Sequence, residues 1–120
     1  MLFIHIVKIN TELGEFDWFS DNDLSIEITY GCEKRTTTIK WNISEPIWNE
    51  AFIFKYNPSV KYISFRIFEA NSLVISHKDV KEIIEVPVEH ENIKLIESYG
   101  IEFYMGDIHF QKDKEINELL

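Results

Sequence analysis

Hydrophobic and polar residues alternate with a period of two along most of this chain, the spacing of strands that bury one face. Leu2, Ile4 and Ile6 alternate with Phe3, His5 and Val7, predicting a first strand over Leu2–Ile9. Leu24, Ile26, Ile28 and Tyr30 alternate with Ser25, Glu27 and Thr29, a second strand with a polar face. Residues 36–41 are rich in β-branched side chains and predict a third. Residues 51–56 place Phe52, Phe54 and Tyr56 on one side, and residues 62–69 alternate Ile63, Phe65 and Ile67 with Ser64, Arg66 and Phe68. Residues 83–88 and 101–111 supply further strands, the last open to interruption at Gly106, while residues 92–98 fit either a helical turn or a strand. Helical spacing is confined to residues 113–120, where Asp113 is a candidate cap. Seven or eight short strands separated by turn residues predict an all-β, antiparallel sandwich with Greek-key connections.

Composition narrows the class without naming a function. The 120 residues suit one domain with its own core, and four glycines and three prolines leave no low-complexity linker. The expected division is a domain over 1–112 and a short C-terminal tail over 113–120. No uncharged apolar run approaches the ~18 residues of a membrane span, and the opening segment lacks a signal-peptide cleavage site. The single cysteine, Cys32, can form no internal disulfide and reads as a strand-end residue beside the turn glycine Gly31. These features lead us to expect a cytoplasmic protein. Acids outnumber bases 21 to 12, for a net charge of −9, which excludes a phosphate-backbone reader and hence a nucleic-acid partner. The same excess opposes simple adhesion to anionic lipid, so membrane contact would need a cation bridge, apolar insertion, or both.

The segment Pro46-Ile47-Trp48-Asn49-Glu50-Ala51-Phe52-Ile53-Phe54 resembles the P-x-W-N-E-x-F-x-F stretch of C2 domains, the calcium-dependent phospholipid-binding β-sandwiches. Nine positions fall in register around an unusual Trp-Asn-Glu centre. Leu2-x-Ile4-x-Ile6-Val7 resembles the first strand of that family, and Asp23-Leu24-Ser25-Ile26-Glu27-Ile28 its D-P-Y-V-x-I block, with Leu24-Ser25 in place of Pro-Tyr. Residues 34–40 are similar to its basic, Thr-rich strand, and Gly106-Asp107-Ile108-His109-Phe110 to its closing strand. The likeness covers roughly residues 2–110, and a start directly on the Leu2 strand resembles the circularly permuted (type II) arrangement. It implies an eight-stranded sandwich. In the motif it implies that Trp48, Phe52 and Phe54 fill the core while Asn49 and Glu50 bond to backbone groups.

The resemblance also implies a calcium site, partly degenerate, in loops at one end. Asp17 and Asp23 have the six-residue spacing of the family's first-loop aspartates, with Asp21 between them. The third-loop D-x-D pattern becomes Glu69-Ala70-Asn71, which keeps two oxygen donors but loses a charge, and Asp79 stands eight residues before Pro87 as the last ligand. Calcium takes 6–8 oxygens, so no single side chain suffices. Phe16, Trp18 and Phe19 flank Asp17, and Leu73, Val74 and Ile75 occupy the third loop. Such tips resemble those of the C2 domains of cytosolic phospholipases, which insert into neutral lipid, and each buried side chain would contribute about 1.5–3 kcal/mol. Lys34, Arg35 and Lys40 form a thin basic cluster, read as a solvated strand face.

Catalytic motifs are lacking. His5, His77, His90 and His109 have no metal-ligand spacing, and there is no nucleophile elbow, phosphate-cradling loop or H-E-x-x-H. The expectation is therefore a non-enzymatic, calcium-regulated module that binds a phospholipid membrane. The alternative is a calcium-independent adaptor that uses the same surface for a protein partner or a homodimer.

Overall fold

Eight β-strands form two four-stranded antiparallel sheets in the computed structural model, which describes residues 1–10, 23–40, 45–70 and 78–108. They are β1 (Leu2–Ile9), β2 (Leu24–Tyr30), β3 (Glu33–Thr36), β4 (Ile47–Phe54), β5 (Tyr62–Ala70), β6 (Lys78–Pro87), β7 (Lys94–Ser98) and β8 (Ile101–Asp107). One sheet has the order β4-β1-β8-β7 and the other β3-β2-β5-β6. The all-β antiparallel sandwich expected from the alternation, with the eight strands that the resemblance implies, is the fold observed.

The alternating residues become the core. Leu2, Ile4, Ile6, Phe103 and Met105 from one sheet meet Leu24, Ile26, Ile28, Ile63, Phe65 and Ile67 from the other, all fully buried. Phe65 and Phe103 touch edge to face across the gap, ring centres 4.8 Å apart, a geometry that adds to the gain from burial alone. Lower down, Tyr30 packs on Phe54 at 5.5 Å. Its hydroxyl accepts from the Asn57 amide at 2.7 Å and donates to the Asn57 carbonyl at 3.1 Å, fixing the β4–β5 connection.

Several element boundaries differ from the sequence reading. The third strand, expected over 36–41, is Glu33–Thr36. Beyond it the Thr37 hydroxyl, rather than a carbonyl, accepts the Ile26 amide at 2.9 Å, so a side chain interrupts the ladder. Paired bonds between Leu24 and Lys40 then hold the segment against β2. Strand β4 starts at Ile47, four residues before the expected position, and ends before Tyr56. Residues 94–98 settle as strand rather than helix, and β6 begins at Lys78. Trp41, residues 109–111 and the candidate helix at 113–120 lie outside the described residues, as does the division at residue 112. Cys32 is exposed in the β2–β3 turn and fills no strand end.

Gly106 does not break β8. It is a buried strand residue crossed closely by the chain entering β7, so an added Cβ would lie 2.4 Å from the Ile93 Cα and 2.6 Å from its nitrogen. Backbone cannot give way as a flexible side chain can. Gly106→Ala is expected to cost about 1–3 kcal/mol, read as a lower urea midpoint at unchanged slope.

Candidate functional site

The two candidate loops leave the same end of the sandwich. Residues 10–23 join the end of β1 to the start of β2, and residues 71–77 join β5 to β6. Within this end the strands are not regularly paired. Against β8, β1 carries an extra residue at Val7; against β1, β4 carries an extra residue across Trp48 and Asn49; against β5, β6 carries an extra residue at Lys81. Such bulges re-aim the residues that follow them.

The β6 bulge has a direct consequence for the acids. Ile67 pairs with Glu82, but Phe68 pairs with Val80, which brings Asp79 opposite Glu69. In an unbulged ladder Glu69 would face Val80. On its other side Glu69 pairs with Leu24, the residue after Asp23. The backbone thus gathers Asp23, Glu69 and Asp79 at the adjoining ends of β2, β5 and β6. Glu69 continues the inward register of Phe65 and Ile67 to the rim of the core and is half-buried there. Like charges directly opposite each other destabilise a sheet, and a cation reverses that sign.

The remaining candidates are not brought into view. Asp17, Asn71 and the apolar positions Phe16, Trp18, Phe19, Leu73, Val74 and Ile75 lie outside the described residues, and of Asp79 only the backbone is described. Among the described residues no three His, Cys, Asp or Glu side chains converge on a metal-sized point. By donor chemistry the five candidate positions suit calcium, since all are oxygen ligands.

The Trp-Asn-Glu segment braces this end. Trp48 is buried and its indole N–H donates to the Thr38 carbonyl at 2.7 Å. The Glu50 carboxylate accepts from the Thr38 amide at 3.0 Å and from its hydroxyl at 2.5 Å. Asn49 lies between them at φ 51°, in the left-handed region that asparagine tolerates better than most residues. It is exposed, and the described contacts give it no backbone bond of the kind expected from the sequence. Thr38, the shared partner of the two flanking residues, was not singled out by the sequence; its only signal is its place in the Thr-rich run 36–38.

In the basic cluster the Arg35 side chain is already engaged. Arg35 approaches Glu33 at 4.0 Å, donates to the Lys34 carbonyl at 3.0 Å and covers the Phe54 ring at 5.3 Å. Of the histidines, His5 is half-buried between Phe3 and Tyr104, and exposed His90 stacks on Tyr56. No helix among the described residues is long and apolar enough to cross a membrane.

Comparison with known proteins places the geometry in context. A family model described as C2 domain matches residues 2–99. A C2 domain of a plant extended synaptotagmin 1 superposes with a TM-score of 0.67 at 15% identity, over 88% of this chain and 91% of that one. Human GIVD cytosolic phospholipase A2, in complex with methyl gamma-linolenyl fluorophosphonate, superposes with a TM-score of 0.66 at 21% identity. That match covers 88% of this chain but 17% of the phospholipase, so the chain spans about a sixth of that protein's length. A C2 domain-containing protein from a putative elicitor-responsive gene gives 0.61 at 18% identity, over 87% and 83% of the two chains. No curated protein matches the sequence.

Removing the brace tests its contribution. Glu50→Ala leaves the Thr38 amide and hydroxyl without their acceptor and is expected to lower stability by about 1–2 kcal/mol in urea unfolding.

Proposed function

This chain belongs to the C2 domain family, and from that premise we propose that it is a peripheral phospholipid-binding module regulated by calcium. The family is a binding module rather than a catalytic one and commonly binds phospholipid membranes. The observation that carries the calcium reading is the bulged β5–β6 register, which sets Asp79 opposite Glu69 and beside the strand that begins after Asp23. In this proposal Asp23, Glu69 and Asp79 supply carboxylate oxygens from the strand ends. Asp17 and Asn71 complete the set from the two loops.

The charge argument gives the regulation its direction. A chain of net charge −9 is repelled by an anionic surface, most of all through an acidic end. Bound calcium would supply positive charge at that end. The acids would hold it while Phe16, Trp18, Phe19, Leu73, Val74 and Ile75 enter the bilayer from the same two loops. Each apolar tip removed from water contributes about 1.5–3 kcal/mol, so a few of them outweigh the residual repulsion. Loss of one charge at Asn71 and one extra methylene at Glu69 weaken the site relative to an Asp-x-Asp pair without abolishing it. The setting that fits is cytoplasmic, with reversible membrane attachment.

Co-sedimentation with liposomes tests the proposal. With calcium, the protein is expected to pellet with neutral phosphatidylcholine vesicles, and chelator or Trp18→Ala combined with Leu73→Ala should return it to the supernatant. Calcium-dependent pelleting only with anionic vesicles would replace insertion by head-group bridging. Absence of pelleting under every condition would overturn the membrane reading in favour of a calcium-independent protein adaptor.

A further inference from the structure

The outward face of the β4-β1-β8-β7 sheet is apolar where a solvated face would be polar. One row crosses all four strands in register: Ala51, His5, Tyr104 and Leu95. The next row adds Ile53 and Phe3. Leu95 is 57% exposed, Ile47 53%, Ile53 47% and Tyr104 38%, so these large side chains are uncovered on a sheet whose other face already holds the core. The other sheet's outward face, where Ile83 and Tyr62 are also exposed, interleaves them with polar pairs. There Glu27 meets Arg66 at 3.6 Å and Thr29 lies opposite Ser64.

Charge on the apolar face is balanced although the chain as a whole is strongly acidic. Lys8 and Glu102 lie opposite each other and pair at 3.8 Å. The other two charges are Lys55, next in the outward alternation just past β4, and Glu97 near the end of β7. These two stand at diagonally opposite corners of the face. One Glu97 oxygen accepts the Gly100 amide at 2.6 Å, which leaves the second oxygen for another donor.

We propose that this face docks a second copy of the chain. Between identical molecules of charge −9 repulsion is least where each presents a locally neutral face, and the apolar face is one. Turning one copy over the other with strands crossing near a right angle, one of the two common ways for sheets to pack, stacks the apolar rows. The same rotation sets Lys55 of each copy over Glu97 of the other. Four strands ~4.8 Å apart and about 20 Å of strand length give a footprint of at most roughly 400 Å² per copy, since residues 92–93 already cross the β8 strand of this face at Gly106. An interface that small lies at the weak end of specific association, so the dimer is reversible and its Kd micromolar rather than nanomolar.

Sedimentation equilibrium of the full chain in chelator, without lipid, tests the proposal independently of calcium and membrane binding. The wild-type protein is expected to pass from monomer to dimer below about 0.5 mM. Leu95→Lys and Ile53→Lys should each weaken the dimer about tenfold or more at an unchanged melting temperature, since both positions are exposed. Lys55→Glu and Glu97→Lys should each be impaired alone and should form a heterodimer when mixed, because the swap restores both corner pairs. A protein that stays monomeric across the range would overturn the proposal. So would a dimer untouched by Leu95→Lys and Ile53→Lys, or a charge-swapped mixture that fails to associate.

Discussion

Strand register is the constraint on which this molecule depends. Each sheet buries one face against the other, so a one-residue slip in any central strand would turn its core residues to water. Leu2, Ile4 and Ile6 on β1, or Ile63, Phe65 and Ile67 on β5, stay inward only if neither strand slips by an odd number of residues. Toward the loop-bearing end the regular ladder gives way to bulges at Val7, at Trp48 and Asn49, and at Lys81. The core holds the strands in register, and the extra residues then alter what the strand ends present. Glu69 faces Asp79 because Lys81 is an additional residue.

The Trp-Asn-Glu segment shows how a short motif can act as a joint. Trp48 and Glu50 both reach Thr38, which lies beside the β2 strand of the opposite sheet, while Asn49 takes the backbone turn between them. Burial, two kinds of hydrogen bond and a left-handed residue all serve one purpose, to tie the edge of one sheet to the chain leaving the other. The neighbouring strand ends are thereby held in place without a disulfide.

Much of this was legible in the alternation. The spans of β1 and β2 were read as observed because alternation runs along β2 and through Ile6 on β1, and the Val7 bulge falls inside β1 rather than at its boundary. Strand β4 was read four residues short because the bulge at Asn49 shifts the phase that periodicity relies on, and β3 was misplaced because Thr37 substitutes a hydroxyl for a ladder carbonyl. The resemblance to C2 domains named Asp23, Glu69 and Asp79 as members of one set, but gave no hint of the inserted residue that sets Asp79 opposite Glu69. The exposed apolar face had a signal that was passed over: Phe3 and Val7 on β1, and Ala51 and Ile53 on β4, make both sides of those strands apolar. A strand that is apolar on both faces asks for two partners, and the sandwich supplies one.

In the proposed function the register of β2, β5 and β6 gathers carboxylates that hold calcium and so gate attachment to lipid. A ligand that binds only the folded state must raise its stability, by RT ln(1 + [L]/Kd). Thermal melting in calcium against chelator, for the wild-type chain and for Asp23→Asn combined with Glu69→Gln, measures this directly. A rise in melting temperature that grows with calcium and disappears in the double variant is the predicted result. Identical melting of the wild-type chain in calcium and chelator would show that these carboxylates hold no calcium.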